Sequence, residues 1–167
     1  IYTYELSKEI KENILDKTLK GFQEDNLDFK GILFVGLMIT KDGPKILEYN
    51  VRFGDPETQS VLFRLETDLS EIISAVINNK LKDIDIKYSD DSAICVMLTS
   101  GGYPQSYEKA KIITGLDNLD KDIVVFHSGT KLLDNKLVTN GGRVIGITAK
   151  GKTVKEAGKK VYENIKK

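Results

Sequence analysis

The sequence ILEYNVRFGDPETQ, from Ile46 to Gln59, decides both the fold and the chemistry that we expect. Successive side chains of a β-strand point to opposite faces, so Glu48, Asn50 and Arg52 share one face of the predicted strand. The residues between and beside them are apolar: Leu47, Tyr49, Val51 and Phe53. The strand stops at GDPE, where aspartate, proline and glutamate are typical of a helix start. We therefore predict a strand and then a helix that begins at Pro56.

The polar face of this strand has two interpretations. A half-buried antiparallel sheet also alternates polar and apolar residues, and its polar face then only meets water. The residue types favour chemistry, because the oxygens of Glu48 and Asn50 are hard donors and Mg²⁺ usually takes one or two carboxylates plus substrate phosphates. Arg52 adds a planar fork of donors that could stabilise a transferring phosphoryl group. The spacing alone leaves both interpretations open.

Composition limits the classes of protein to consider. The 167 residues are 40% hydrophobic and 30% charged, which excludes a disordered or collagen-like chain. With 25 basic and 25 acidic residues, the charge balance argues against a nucleic-acid partner. The longest apolar run, Ile32 to Ile39, is far shorter than the roughly 20 residues that cross a membrane, so we expect no membrane partner and a cytoplasmic location. The single cysteine, Cys95, is expected to be a small buried residue rather than part of a disulfide or zinc site.

Local patterns predict the elements of a first domain over residues 1–89. Leu6, Ile10 and Ile14 recur at helical spacing and predict a helix over about residues 5–20 that ends at Gly21. The apolar run 31–40, the turn KDGP and the run 45–53 predict an antiparallel hairpin. A stripe of apolar residues predicts a further helix: Leu69, Ile72, Ile73, Val76 and Ile77. A charged stretch then leads to a boundary near Asp90.

Residues 90–167 are predicted to form a small strand-rich domain. Short apolar runs separated by turn residues indicate strands at 93–98, near Ile112, and at 123–126, 131–133, 136–138 and 144–149. Thr153 and Glu156 have the spacing of a capping box, which predicts a terminal helix with Val154, Ala157, Val161 and Ile165 on its apolar face. The predicted class is α+β, with an antiparallel sheet and helices first and the strand-rich domain second.

Five segments resemble one known family. EYNVRFGDPETQ is similar to the signature of the phosphoribosylamine–glycine ligases, which are ATP-grasp enzymes of purine biosynthesis. Four further segments are similar to the family and occur in the same order. GILFVGLMI lies before the signature segment, and three lie after it: SGGYP at 100–104, VFHSGTKL at 125–132 and TNGGRVIGITAKG at 139–151. The Glu-x-Asn pair is general among ATP-grasp proteins, whereas the run from Arg52 to Glu57 narrows the resemblance to this ligase.

The resemblance implies a reaction and a set of site residues. The ATP γ-phosphate would move to the carboxylate of glycine, and the amine of 5-phosphoribosylamine would attack glycyl phosphate to give glycinamide ribonucleotide, ADP and phosphate. Glu48 and Asn50 match the ligands of Mg²⁺, with Mn²⁺ as an alternative, and Arg52 matches a position that would stabilise the transferring group. Gly54 and Asp55 match the turn beside the substrates. Gly54 could instead only permit a turn, and Asp55 could only cap a helix.

Three further features of the sequence are candidates for the site: the lone histidine, two glycine pairs and Arg143. The lone histidine, His127, is predicted to be structural, because a single imidazole within an apolar strand is more often so. The pairs Gly101-Gly102 and Gly141-Gly142 match no phosphate-binding loop and are predicted to be turns. Arg143 could reach a substrate phosphate if its turn faces the active site.

The resemblance covers the chain from about Glu5 onward and matches only the later part of the family's enzyme. We therefore expect this chain alone to lack ligase activity and to require the amino-terminal part of the enzyme as a partner. Uncovered sheet edges and apolar surface would also favour self-association or a partner chain. Two alternatives stay open: another ATP-grasp ligase that joins a different carboxylate and amine, and a non-catalytic assembly or regulatory module.

Overall fold

The computed structural model describes residues 2–167 as a mixture of helices and antiparallel strands in two compact units. The first contains the chain up to Gly54 together with Ser70–Ile84, and the second contains Asp55–Leu69 and Asp85–Lys167. The predicted α+β class is confirmed. The predicted domain boundary between residues 89 and 90 stays a prediction. The compact units are divided differently along the chain, because residues 55–69 belong to the second unit. No helix within residues 2–167 has the length and apolarity needed to span a bilayer.

The first unit opens with a continuous helical segment. It consists of α1 (Tyr4–Ile10), a π-helical turn (Lys11–Leu15) and α2 (Asp16–Glu24). Ile10 and Ile14 are buried, as their spacing predicts. The predicted end at Gly21 is wrong, because a helix tolerates an interior glycine at a cost of about 1 kcal/mol. The helix ends instead before Asn26, whose φ of 54° is left-handed.

The predicted hairpin consists of β1 (Phe34–Thr40) and β2 (Gly43–Asn50), paired antiparallel. The register shifts between Gly36 and Leu37, so that Gly36 faces Glu48 and Leu37 faces Ile46. This shift is a β-bulge on β2. The predicted extension of β2 to residue 53 is wrong, because β1 begins opposite Asn50 and offers no partner to later residues.

Helix α4 (Leu69–Ile77) lies mostly in the first unit. Ile72 and Ala75 are buried, which confirms an inward-facing side. The predicted apolar stripe is too wide, because Ile73 is 50% exposed and Ile77 is 63% exposed. The first unit therefore covers only a narrow side of this helix.

The second unit is built around a three-stranded antiparallel sheet in the order β3-β7-β4. Its strands are β3 (Ser92–Thr99), β4 (Val124–His127) and β7 (Arg143–Gly151), and a separate hairpin joins β5 (Thr130–Leu133) to β6 (Lys136–Thr139). The predicted strand near residue 112 is only a single bridge from Ile112 to Val138. The central strand β7 supplies most of the core: Val144, Ile145, Ile147 and Ala149.

Two helices complete the second unit. Helix α3 (Glu57–Arg64) starts one residue later than predicted, with Pro56 at its N-cap, and Arg64 Nη2 donates to the Ser89 carbonyl at 2.7 Å. Helix α5 (Val154–Asn164) has the predicted cap, because Thr153 Oγ1 accepts from the backbone N–H of Glu156 at 3.1 Å. Ala157 and Val161 are fully buried, whereas Val154 is 64% exposed and does not join the apolar face.

The burial of β7 gives a stability prediction. Replacing Ile147, which is 2% exposed, with alanine should lower the free energy of unfolding by about 2–5 kcal/mol, because it leaves a cavity in a packed core. Leu132, which is 73% exposed on β5, is the matched control, and Leu132→Ala should change that free energy by about 0.5 kcal/mol or less. Urea unfolding monitored by circular dichroism measures both; equal effects would contradict the assignment of β7 to the core.

Candidate functional site

The carboxylate of Glu48 and the carboxamide of Asn50 lie side by side on β2. Asn50 Nδ2 donates a hydrogen bond to Glu48 Oε1 at 3.0 Å. Gly36 faces Glu48 across the hairpin, and a Cβ atom at Gly36 would lie 3.1 Å from Glu48 Cγ. The glycine therefore leaves room for the glutamate side chain. The structure brings together the two residues predicted as metal ligands, and their role as ligands stays a prediction.

This pair has the chemistry of two ligands to a hard cation. Glu48 is exposed and Asn50 is half-buried, so a bound ion would meet the pair from the solvent side. A half-turn of the amide would exchange its nitrogen for its oxygen and place two oxygens side by side, an arrangement that a cation stabilises. Residues 2–167 contain no cluster of three or more His, Cys, Asp or Glu side chains arranged to hold a metal. Substrate phosphates and water would have to complete the octahedral shell of Mg²⁺.

The other predicted residues of the first unit are placed differently. Arg52 lies beyond the end of β2 in a bend, and its Nη1 donates to the carbonyl of Phe53 at 2.8 Å. Strand alternation therefore does not place Arg52 beside Glu48 and Asn50. Gly54 is buried and is the last residue of this part of the first unit.

The opposite side of β2 borders an apolar cleft of 640 Å³. Tyr49 and Val51 line the cleft together with Phe22 and Phe29, and the hydroxyl of Tyr49 lies 2.8 Å from Thr18 Oγ1. Val51 is 69% exposed, so α2 covers this side of the strand only in part. The predicted alternation is therefore present from Glu48 to Asn50, where Tyr49 faces the cleft, and the cleft remains open.

Asp55 forms a second cluster, within the second unit. Arg143 Nη1 donates to Asp55 Oδ2 at 2.8 Å and to the Asp55 carbonyl at 3.2 Å. Arg143 Nε donates to the hydroxyl of Tyr103 at 3.3 Å. The hydrogen bond with Tyr103 and the negative charge of Asp55 raise the pKa of Arg143 above its ordinary value. The guanidinium therefore stays charged and is oriented from both sides.

The glycine-containing turns of the second unit meet at this cluster. Ser100 donates from its backbone N–H to the Gly142 carbonyl and from its hydroxyl to the Gly141 carbonyl, each at 2.8 Å. A Cβ atom on Gly142 would overlap the ring of Tyr103. A Cβ atom on Gly129 would lie 2.6 Å from Gly141 Cα. The segments SGGYP, HSGT and TNGGR, quoted above for their family resemblance, thus pack against one another.

The sequence did not reveal the pairing of Asp55 with Arg143. The two residues are 88 positions apart, and no pattern in the sequence points to Tyr103 as a site residue. The sequence left open whether Arg143 reaches a substrate phosphate, and in the structure its guanidinium binds Asp55. The only sequence signal for the contact was the shared family resemblance of the three segments, because their approach depends on the pairing of Thr99 with Arg143 between β3 and β7.

The two residues predicted to be structural, His127 and Cys95, make local contacts within the second unit. His127 Nδ1 lies 3.1 Å from Thr130 Oγ1, at the turn between β4 and β5. Cys95 is half-buried on β3, and burial raises the pKa of its thiol. A cysteine that stays protonated is a weak nucleophile. A Cβ atom on Gly146 would lie 2.8 Å from Cys95 Sγ, so this sulfur fills space beside the central strand.

Comparison with known proteins supports the resemblance independently. The family model "Phosphoribosylglycinamide synthetase, ATP-grasp (A) domain" matches residues 1–58, and the model "Phosphoribosylglycinamide synthetase, C domain" matches residues 93–167. A phosphoribosylamine–glycine ligase of Clostridium acetobutylicum is 47% identical over 99% of the chain, and one of Caldanaerobacter subterraneus is 46% identical over 95%. The chain belongs to the phosphoribosylamine–glycine ligase family.

Comparison with solved structures supports the same family assignment. The crystal structure of the phosphoribosylamine–glycine ligase from Thermotoga maritima covers the whole chain with a TM-score of 0.85 and 34% identity. An N5-carboxyaminoimidazole ribonucleotide synthetase from the same organism has a TM-score of 0.60 at 17% identity and shares the fold. The chain spans 38% and 39% of the length of the Caldanaerobacter and Clostridium relatives and 41% of the Thermotoga chain.

The packing of Tyr103 against Gly142 gives a second prediction. Gly142→Ala should displace the Tyr103 ring and lower the free energy of unfolding by about 1–3 kcal/mol, as overpacking does. Gly101→Ala is the matched control, because no atom lies within 4 Å of a Cβ built there. Denaturant unfolding and the NMR signals of the tyrosine rings measure both effects. If the two variants behave alike, the proposed packing of the turns is wrong.

Proposed function

We propose that this chain takes part in the ATP-dependent joining of glycine to 5-phosphoribosylamine, with glycinamide ribonucleotide, ADP and phosphate as products. The observation that carries the proposal is the contact between the carboxylate of Glu48 and the carboxamide of Asn50 in a chain of this family. We propose that both side chains hold Mg²⁺, or Mn²⁺ in its place, together with ATP phosphates. A bound divalent cation would neutralise charge on the phosphates during phosphoryl transfer.

The remaining site residues receive roles that fit their chemistry. In the proposed reaction the γ-phosphoryl group leaves ADP and joins a carboxylate oxygen of glycine. Hydrogen-bond donors stabilise the negative charge of this phosphoryl group, and the exposed guanidinium of Arg52 can supply them. The amine of 5-phosphoribosylamine then displaces phosphate from glycyl phosphate. Asp55 can accept a hydrogen bond from an amine or hydroxyl of a substrate, and the buried Gly54 shapes the turn before it.

Two alternative functions can be distinguished from the proposed one by experiment. A ligase of the same fold could use another carboxylate, and substituting other small acids for glycine in the assay would reveal it. A non-catalytic assembly or regulatory module is favoured by one observation, the exposure of Glu48 on the surface of the hairpin. We propose the glycine ligase ahead of both, because relatives with that name are 46% and 47% identical over nearly the whole chain.

The assay has to include the parts of the relatives that this chain does not match. Because the chain spans 39% of the Clostridium acetobutylicum relative, we propose that residues 1–167 alone do not turn over ATP with glycine. Residues 1–167 fused after the unmatched portion of that relative should release ADP only when ATP, glycine and 5-phosphoribosylamine are all present. Full turnover by residues 1–167 alone would contradict this proposal.

Substitution of Glu48 tests the metal role. In the fused protein, Glu48→Gln should reduce kcat by about 100-fold or more, because the neutral amide removes a charged ligand while preserving shape. Stability should change by about 0.5 kcal/mol or less, since Glu48 is exposed. Glu24→Gln, at an exposed glutamate paired with Lys20 on α2, is the matched control and should retain activity. Unchanged turnover with Glu48→Gln would contradict the proposed metal role of Glu48.

We also propose that residues 1–167 self-associate through the open apolar side of the hairpin. Leu47 is 63% exposed on β2, and exposed apolar patches of this kind mark contact surfaces. Leu47→Lys should shift the molar mass measured by light scattering toward the monomer, while Leu132→Lys, at a leucine of β5 that is 73% exposed, should not. A monomer at all concentrations would exclude self-association.

The proposed location is the cytoplasm, although the Arabidopsis thaliana relative is named chloroplastic.

A further inference from the structure

We propose that Arg143 is a positioning residue that holds Asp55 in the orientation needed to accept a hydrogen bond from a substrate. The inference rests on the proposed function. It also names the substrate chemistry, which is a hydroxyl or amine donor, as carried by both 5-phosphoribosylamine and glycine. Arg143 acts through Asp55 and needs no contact with the reacting atoms.

The geometry of the contact fixes more than the carboxylate. The same nitrogen, Arg143 Nη1, binds Asp55 Oδ2 at 2.8 Å and the Asp55 carbonyl at 3.2 Å. The side chain and the backbone of Asp55 are therefore held relative to each other. A carboxylate has about four lone-pair positions, so one bond to arginine leaves acceptor capacity for a substrate donor.

Arg143 is itself held in place by its surroundings. It is the first residue of β7, and its neighbour Val144 is in the core. Tyr103 fixes the guanidinium from the other side through Nε, and the Tyr103 ring lies in the space that a side chain on Gly142 would fill. The arginine thus transmits the rigidity of the central strand to the GDP turn.

Stability alone does not account for this arrangement. The side chains of Arg143 and Asp55 are 41% and 52% exposed. Ion pairs with that exposure contribute little to the free energy of unfolding, because water screens their charges. Positioning of a substrate-binding acceptor explains why one guanidinium engages two separate loops. Small misplacements of binding groups can reduce rates strongly, so a weak contact can have a large kinetic effect.

Hydrogen exchange on residues 1–167 tests the positioning without any need for activity. Arg143→Met should increase exchange of the amides in the turn 54–57 by about tenfold or more, while the melting temperature stays nearly constant. Lys160→Met is the matched control, because Lys160 forms an exposed pair with Asp122 at 3.0 Å in the same unit. Equal protection of the turn in wild type and Arg143→Met would overturn the inference, whatever the reaction proves to be.

Kinetics of the fused protein test the action through Asp55. Arg143→Met and Asp55→Asn should each lower kcat/KM by about 10-fold to 100-fold, and the double variant should be no worse than Asp55→Asn. The KM that rises, for glycine or for 5-phosphoribosylamine, identifies the donor. Multiplicative losses would show that Arg143 acts on a substrate directly and would overturn the inference. Absence of glycine-dependent ADP release in the wild-type fusion would refute the proposed function, and the exchange experiment would still decide the role of Arg143.

Discussion

The pairing of the buried strand β7 with β3 and β4 is the constraint on which the second unit depends. Six consecutive residues of β7 are buried, from Val144 to Ala149, so both faces of the strand are packed, and a slip by one residue would place every side chain in the packing site of the opposite face. The register places Thr99 opposite Arg143, and the N–H of Gly129 donates to the Arg143 carbonyl at 2.9 Å. Loops that are distant in sequence therefore meet at one end of this strand.

Local signals made much of the fold predictable. The hairpin, most strands of the second unit and the cap of α5 are each determined by residues within a few positions of one another. At the start of α5, for example, Thr153 Oγ1 accepts from the backbone N–H of Glu156, and the Glu156 carboxylate accepts from the backbone N–H of Lys152. Errors arose where packing decided the outcome: the helix ran past Gly21, and β2 ended at Asn50 because its partner strand begins there.

The candidate site divides in the same way. Glu48 and Asn50 are two positions apart on a strand, so their contact follows from local geometry, and Gly36 opposite Glu48 leaves room for the glutamate side chain. The contact of Asp55 with Arg143 required the register of β7 and could not be read from spacing. The alternation that placed Arg52 on the strand face stops at Asn50, so the role proposed for Arg52 rests on the chemistry of its guanidinium alone.

The two units differ in how far their own residues support these sites. β7 supplies most of the buried apolar residues of the second unit, whereas those described in the first unit are Ile10, Ile14, Ile72 and Ala75. A two-stranded hairpin is marginally stable by itself in water, so β1 and β2 depend on the packing of the helices and on whatever covers their apolar side. Phosphoryl transfer relies on fixed positions of charges rather than on covalent chemistry by the protein. Covering the hairpin would therefore limit the motion of Glu48 and Asn50, the proposed metal ligands, whereas Asp55 is already bonded to Arg143 at 2.8 Å.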